Sequence, residues 1–77
     1  MNLEIVSPEK IIYSGKAEAV TLPGLKGSFT VLNRHAPIIS GLKKGKLRYL
    51  INGKNEVMII NEGFVEVNNN TISVCIE

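Results

Sequence analysis

The sequence contains one histidine, one cysteine and seven glutamates as its main candidates for acid–base, nucleophilic or metal chemistry. His35 is the only histidine, so no histidine-based metal cluster or Ser-His-Asp arrangement can be assembled from this chain alone. Its neighbours Arg34 and Ala36-Pro37 place it on an exposed polar loop, where a structural or partner-contacting role fits better than catalysis. Cys75 has no second cysteine to pair with and no adjacent base, which marks an inert thiol rather than a nucleophile. The glutamates are separated by turns and strands, and no spacing forces two carboxylates together as glycoside chemistry would need. Gly24-Leu25-Lys26-Gly27-Ser28 lacks the Gly-Lys-Ser/Thr ending and following helix of a phosphate loop, so it is read as an ordinary turn. Asn69-Asn70-Thr71 matches a glycosylation sequon, but no signal peptide accompanies it and a turn accounts for it. These residues predict a protein that is not an enzyme and needs no cofactor or metal.

Charge is the second signal. The formal net charge is only +2, yet no acid occurs between Glu18 and Glu56. Lys26, Arg34, Lys43, Lys44, Lys46, Arg48 and Lys54 all fall in that window, and only glutamates follow it. One reading has neighbouring strands exchanging these charges across a ladder, each pair contributing tenths of a kcal/mol. The other has a basic rim that steers an acidic partner. Nucleic acid is disfavoured, because Tyr13, Phe29, Tyr49 and Phe64 are the only aromatics and none sits in a basic-aromatic motif. No N-terminal segment resembles a signal peptide, and the longest aliphatic run, Val57 to Ile60, is far too short to span a bilayer. A cytosolic protein is expected, one able to sit on a membrane complex through a partner.

The elements that must position these residues are strands. With 77 residues the chain forms a single small domain, 1–77, whose core is thin. Period-two alternation runs almost throughout: Ile72, Val74 and Ile76 share one face, Thr71, Ser73, Cys75 and Glu77 the other. Leu47, Tyr49 and Ile51 alternate with Lys46, Arg48 and Leu50 in the same way. Asn52-Gly53 tolerates the positive φ of a type I′ hairpin turn, and Asn68-Asn69-Asn70 supplies a second turn. Pro8, Pro23-Gly24 and Ala36-Pro37 punctuate the first half. Strands are predicted near residues 2–6, 11–14, 16–22, 28–32, 38–40, 46–52, 55–60, 63–67 and 71–76, with no helix. The fold class is all-β, a small ten-strand-like β-sandwich or flattened barrel that disposes of most exposed edges. Val20, Leu22, Phe29, Val31, Leu47, Tyr49, Val57, Ile59, Val65, Val67, Ile72 and Val74 are the predicted core.

One segment carries more than fold information. Gly27-Ser28-Phe29-Thr30-Val31-Leu32-Asn33-Arg34-His35-Ala36-Pro37-Ile38-Ile39-Ser40 runs from a strand through a His-Ala-Pro turn into a second apolar run. It resembles the signature of the epsilon subunit of F-type ATP synthase. The resemblance extends over nearly all the chain, through Leu3 to Glu9, Tyr13-Ser14-Gly15, Ala19 to Gly24, Leu42 to Arg48 and Asn61 to Val67, in the family's order and spacing. Thr30 stands where the family usually has glycine, Asn33-Arg34 where it has Pro-Gly, and Glu62 in place of the first glycine of a Gly-Gly pair.

The resemblance implies a non-catalytic central-stalk subunit of a proton-translocating F-type ATP synthase. Such a subunit links the gamma subunit to the ring of c subunits at the cytoplasmic face of the membrane. It covers the β domain and not the C-terminal helix pair that family members commonly carry, so it implies coupling and assembly rather than helix-mediated inhibition. Carried over by position, Ser28 matches the family's ring-facing loop, and Arg34 and His35 match the adjoining turn, with Lys26 and Asn33 joining by adjacency. Ser7 and Ser40 match gamma-facing positions. The alternative reading is a small β-barrel module that binds an anionic ligand or oligonucleotide. A stand-alone enzyme would require His35 to share a pocket with Glu62 or Glu66.

Overall fold

A computed structural model describes all 77 residues. Nine strands follow one another with no helix: β1 (Asn2–Val6), β2 (Ile11–Lys16), β3 (Ala19–Gly24), β4 (Gly27–Leu32), β5 (Ile38–Leu42), β6 (Gly45–Ile51), β7 (Lys54–Ile60), β8 (Gly63–Asn68) and β9 (Thr71–Ile76). The all-β expectation holds, with nine strands in place of a ten-strand-like count. They form one curled, mixed sheet in the order β2-β1-β9-β8-β5-β3-β6-β7, with β4 on the free side of β3.

A single residue pair, Gly24 with Leu42, joins β3 to β5. The sheet therefore folds there into two layers, β2-β1-β9-β8-β5 facing β4-β3-β6-β7. The chain passes from one layer to the other four times, at Ala17-Glu18, in the 33–37 loop, at Lys43-Lys44 and at Asn61-Glu62. At the first crossing the Ala17 N–H donates to the Met1 carbonyl and the Glu18 N–H to that of Leu50. These bonds split the single strand expected over 16–22. Lys16 ends β2 in one layer, and Ala19 begins β3 in the other.

Inward-pointing side chains of both layers make the core. Leu3, Ile5, Val20, Leu22, Val31, Leu42, Leu47, Ile60, Val65, Val67, Ile72 and Val74 are its largest buried members. Most of the predicted core is there, with Phe29 and Tyr49 packed against it half-buried. Val57 and Ile59 are corrections: they are 52% and 60% exposed. The β6–β7 register sets their side, because Met58 lies opposite the buried Leu47. Met58 and Ile60 thus point in, and β7's odd-numbered aliphatics point out. In a run where every residue is apolar, alternation carries no phase, so cross-strand pairing decides.

Both predicted asparagine turns form as tight hairpins. Asn52 and Gly53 have φ of 50° and 77°, and Asn69 and Asn70 have 50° and 57°. Pairing of Ile51 with Lys54 and of Asn68 with Thr71 leaves two-residue loops, as type I′ turns require.

The strands run between two ends of the molecule. One end gathers Met1, Ala17-Glu18, the 33–37 loop and both asparagine turns. The other gathers 7–10, Leu25-Lys26, Lys43-Lys44 and Asn61-Glu62.

Candidate functional site

Each residue singled out from the sequence has a defined place in this frame. Lys26 sits in the β3–β4 turn, and Ser28, opposite Pro23, is the second residue of β4. Asn33, Arg34 and His35 follow the far end of the same strand. At about 3.4 Å per residue, roughly 17 Å separates Ser28 from Asn33. The five residues expected to face one partner therefore lie at opposite ends of the domain. They are strung along β4, whose outer edge pairs with no other strand.

The 33–35 loop is held by a side chain from another element. Asn70, in the β8–β9 turn, accepts the Arg34 N–H on its Oδ1 at 2.8 Å and donates from Nδ2 to Asn33 Oδ1 at 2.9 Å. Its own carbonyl accepts the Asn2 N–H at 3.0 Å. Arg34 has a φ of 64°, the left-handed conformation for which the family's glycine is suited. The Asn70 clamp and the His35 N–H bond to the Leu32 carbonyl hold it there. His35 Nδ1 lies 2.7 Å from the Ala36 carbonyl. A carbonyl only accepts, so Nδ1 is the donor in this contact.

Ser7 and Ser40 are both turned to local backbone. Ser7 Oγ donates to the Lys10 carbonyl at 3.3 Å and Ser40 Oγ to the Gly41 carbonyl at 3.0 Å. Neither has a base beside it, so neither hydroxyl is set up for nucleophilic attack. His35 does not meet a glutamate: Glu62 lies at the opposite end, and Glu66 faces Ile39 across the β5–β8 ladder. The condition that an enzyme reading required is not met. Cys75 is half-buried on β9 beside Phe64.

Two surfaces stand out. The first is apolar and lies on the outer side of the layer containing β5 and β8. Ile39 is 77% exposed, Leu25 62% and Phe64 53%. Phe64 lies opposite Gly41, and the Leu25 side chain rests where a Gly41 Cβ would be. A groove of about 550 Å³ runs between the Leu25 turn and β5, lined among others by Lys26, Ser28, Ile39 and Ser40. A depression lined by Ser7, Phe64 and Cys75 borders the same face. Ser7 borders the exposed hydrophobics, whereas Ser40, opposite the buried Val65, points to the inner side of β5; sequence reading had not singled out the hydrophobics as contacts. Their signal was present in Ile38-Ile39, where two successive apolar residues on one strand must put one outside. Exposed apolar residues gathered on one face make a candidate contact surface.

The second surface is rich in lysine, although Glu9, Glu62 and Glu77 share its end of the molecule. Lys26, Lys43 and Lys44 occupy the end away from the asparagine turns, with Lys46 and Arg48 rising from it on β6. The charge-exchange reading does not hold for β6. Arg48 pairs with Thr21 and Val57, and Lys46 with Ile59, so no carboxylate sits opposite either cation. Glu18, the acid before the window, accepts the Gly53 N–H at 3.0 Å.

Departures from the family pattern are accommodated locally. Thr30 pairs with Thr21, their hydroxyls 2.9 Å apart, in ordinary extended backbone. Glu62 does not occupy a positive-φ position, so no glycine is needed there. Gly63 is needed, since a Cβ would collide with the Cys75 carbonyl.

Comparison with known proteins agrees with this architecture. The family model described as ATP synthase, Delta/Epsilon chain, beta-sandwich domain matches residues 1–77. An ATP synthase epsilon chain of Desulfitobacterium hafniense is 43% identical over 72 residues, covering 94% of this chain and 54% of that relative. One from Nitratidesulfovibrio vulgaris is 40% identical over 77 residues, covering 100% of this chain and 58% of the relative. The chain spans a little over half the length of these curated relatives. Among solved structures, a chain of the Euglena gracilis mitochondrial ATP synthase superposes with a TM-score of 0.90 at 23% identity, over 96% of this chain and 48% of that one. A chain of the Tetrahymena thermophila mitochondrial ATP synthase gives 0.83 at 17% identity, over 97% and 61%. By its full-length match to the family model and its 40% identity to epsilon chains, this chain belongs to the ATP synthase delta/epsilon family, as its β-sandwich domain.

Proposed function

We propose that the protein acts as a non-catalytic rotor element of an F-type ATP synthase, linking the gamma subunit to the c-ring at the cytoplasmic face of the membrane. The observation that carries this reading is that one small domain presents two unlike surfaces, an apolar face and a lysine-rich end. A connector needs two such surfaces and a body that deforms little between them. Strands joined by ladders through both layers and a fully apolar buried core supply that stiffness.

In this reading the Ile39–Phe64–Leu25 face, with Ser7 at its margin, packs against gamma. Lys26 and Ser28, joined by Lys43 and Lys44, rest on the polar loops of the c-ring. Asn33, Arg34 and His35 lie too far along β4 to share an end-on ring contact, and border that contact only if the ring also reaches along the edge of β4.

The test is copurification of the tagged protein with recombinant gamma, followed by size-exclusion chromatography, and binding to isolated c-ring. The expected result is a one-to-one complex with gamma that Ile39→Asp abolishes while leaving the fold intact. Lys26→Glu weakens ring binding most at low salt, because exposed ion pairs contribute about 0–1 kcal/mol each and are screened. Arg34→Glu weakens it less. A well-folded monomer that binds neither partner would overturn the reading. A larger effect from Arg34→Glu than from Lys26→Glu would move the ring contact to the other end of β4.

A further inference from the structure

The outer face of the β4-β3-β6-β7 layer, where the second surface continues up β6, carries two cations with no carboxylate opposite them. Lys46 and Arg48 stand two residues apart on β6, so both point outward from the same side of the strand. On one side the register sets them against Ile59 and Val57 of β7. On the other, Thr21 of β3 lies opposite Arg48. Between them runs a groove of about 380 Å³ lined by Thr21, Pro23, Ser28, Lys46 and Arg48 alone. No carboxylate belongs to that lining.

The two charged side chains of the lining are donors only, and its two hydroxyls can donate as well as accept. Where the Thr30 hydroxyl donates to Thr21 across their 2.9 Å contact, the Thr21 O–H is free to donate into the groove as well. Ser28 contributes a second hydroxyl from the neighbouring strand. Two cations and two hydroxyls around one groove offer donors to the oxygens of a phosphate group, which Arg grips by two parallel N–H donors and Lys by charge. Val57 and Ile59, more than half exposed beside the cations, add an apolar strip on which a carbon body attached to that phosphate can lie.

We propose that this groove binds a phosphate ester, with Lys46 and Arg48 holding the phosphate and Thr21 and Ser28 orienting it. The phosphate is that of a soluble organic phosphate or of a phospholipid headgroup, and the chemistry of the groove is the same for both. Lys46 and Arg48 stand outside the proposed gamma and ring contacts, whereas Ser28 is shared with the proposed ring-facing end.

The experiment uses the isolated 77-residue protein, after circular dichroism and a cooperative thermal transition have shown that it folds alone. Pyrophosphate and glycerol phosphate are titrated against the 15N-labelled protein, with amide shifts followed at Thr21, Ser28, Lys46 and Arg48. In parallel, flotation is measured with vesicles of phosphatidylglycerol and of phosphatidylcholine. Saturable shifts confined to the groove, weakened about fivefold by Lys46→Gln or Arg48→Gln and roughly 25-fold by both, are expected from two exposed charge contacts of up to about 1 kcal/mol each. Lys43→Gln, outside the groove, leaves the titration unchanged. Saturable shifts without vesicle binding assign the site to a soluble phosphate. Salt-sensitive flotation with phosphatidylglycerol but not phosphatidylcholine, lost in the double variant, assigns it to the lipid. The proposal is overturned by absence of both responses, or by responses that persist in the double variant or spread equally over Lys26, Lys43 and Lys44.

Discussion

Replacing Asn70 by alanine removes three effects that the structure assigns to one side chain. It deletes the acceptor for the Arg34 N–H and the donor to Asn33, and it puts a residue without a local polar side chain at a φ of 57°. Two exposed hydrogen bonds together contribute about 1 kcal/mol, at the low end of the usual range. The left-handed conformation costs alanine roughly 1 kcal/mol more than asparagine. Asn70→Ala should therefore lose about 2 kcal/mol, out of a total of roughly 4–12 kcal/mol for a domain of this length. With a urea slope near 1 kcal/mol/M for so small a protein, the midpoint falls by about 2 M. Asn70→Asp keeps both the acceptor and the tolerance of positive φ, and should fall by less than about 0.5 M. Hydrogen exchange gives the local readout: the Arg34 amide loses protection in the alanine variant and keeps it in the aspartate one. If Asn70→Ala unfolds within about 0.5 M of the unmodified protein, or its Arg34 amide stays protected, the loop is held by something other than this clamp.

The remaining predictions probe phase, close approach and ionisation. Ile60→Ala should cost about 2–5 kcal/mol by opening a cavity, whereas Ile59→Ala stays within about 0.5 kcal/mol, and thermal denaturation of the pair tests the observed phase of β7. Gly63→Ala should destabilise by about 1–3 kcal/mol, because the Cys75 carbonyl it would strike belongs to a paired strand that cannot yield; denaturant titration measures the loss. Burial, the nearby Glu56 carboxylate and Tyr13 hold the Tyr49 hydroxyl above its ordinary value of 10.0. The folded state therefore keeps that proton when the unfolded chain has released it, so this contribution is complete below about pH 10 and is lost as pH rises beyond it. Tyr49→Phe should remove this part of the alkaline decline; a stability difference between the two proteins that does not change across that range would refute it.

Local signals were the legible part of this fold. Asn52-Gly53 and Asn69-Asn70 announced their turns because positive φ is a property of the residues themselves. The alternations in β6 and β9 placed Leu47, Ile72 and Val74 correctly in the core, since polar residues marked the other face. Val57-Met58-Ile59-Ile60 offered no such mark and was assigned to the wrong face. The parallel pairing of β1 with β9 had no local signal at all, because no turn connects the first strand to the last. The split of the segment over 16–22 was hidden likewise, as it depends on bonds to Met1 and Leu50 from distant parts of the chain.

For the candidate site the division is the same. By itself the sequence determined that one histidine and one cysteine are available for acid–base or nucleophilic chemistry, that an acid-free basic window exists, and that the ordered blocks around His35-Ala36-Pro37 resemble one family. Those conclusions depend on which residues are present and in what order. The strand predicted over 28–32 already put Lys26 and Arg34 beyond its opposite ends, and only the tertiary structure decided which other elements gather at each end. It also decided that Asn70 holds Arg34 and that Ile39, Leu25 and Phe64 meet on one face. The same is true of Lys46 and Arg48, which lie among aliphatic residues rather than acids. Distances between strands follow from register, and register is set by the burial of the whole inner face at once, which no short stretch of residues encodes.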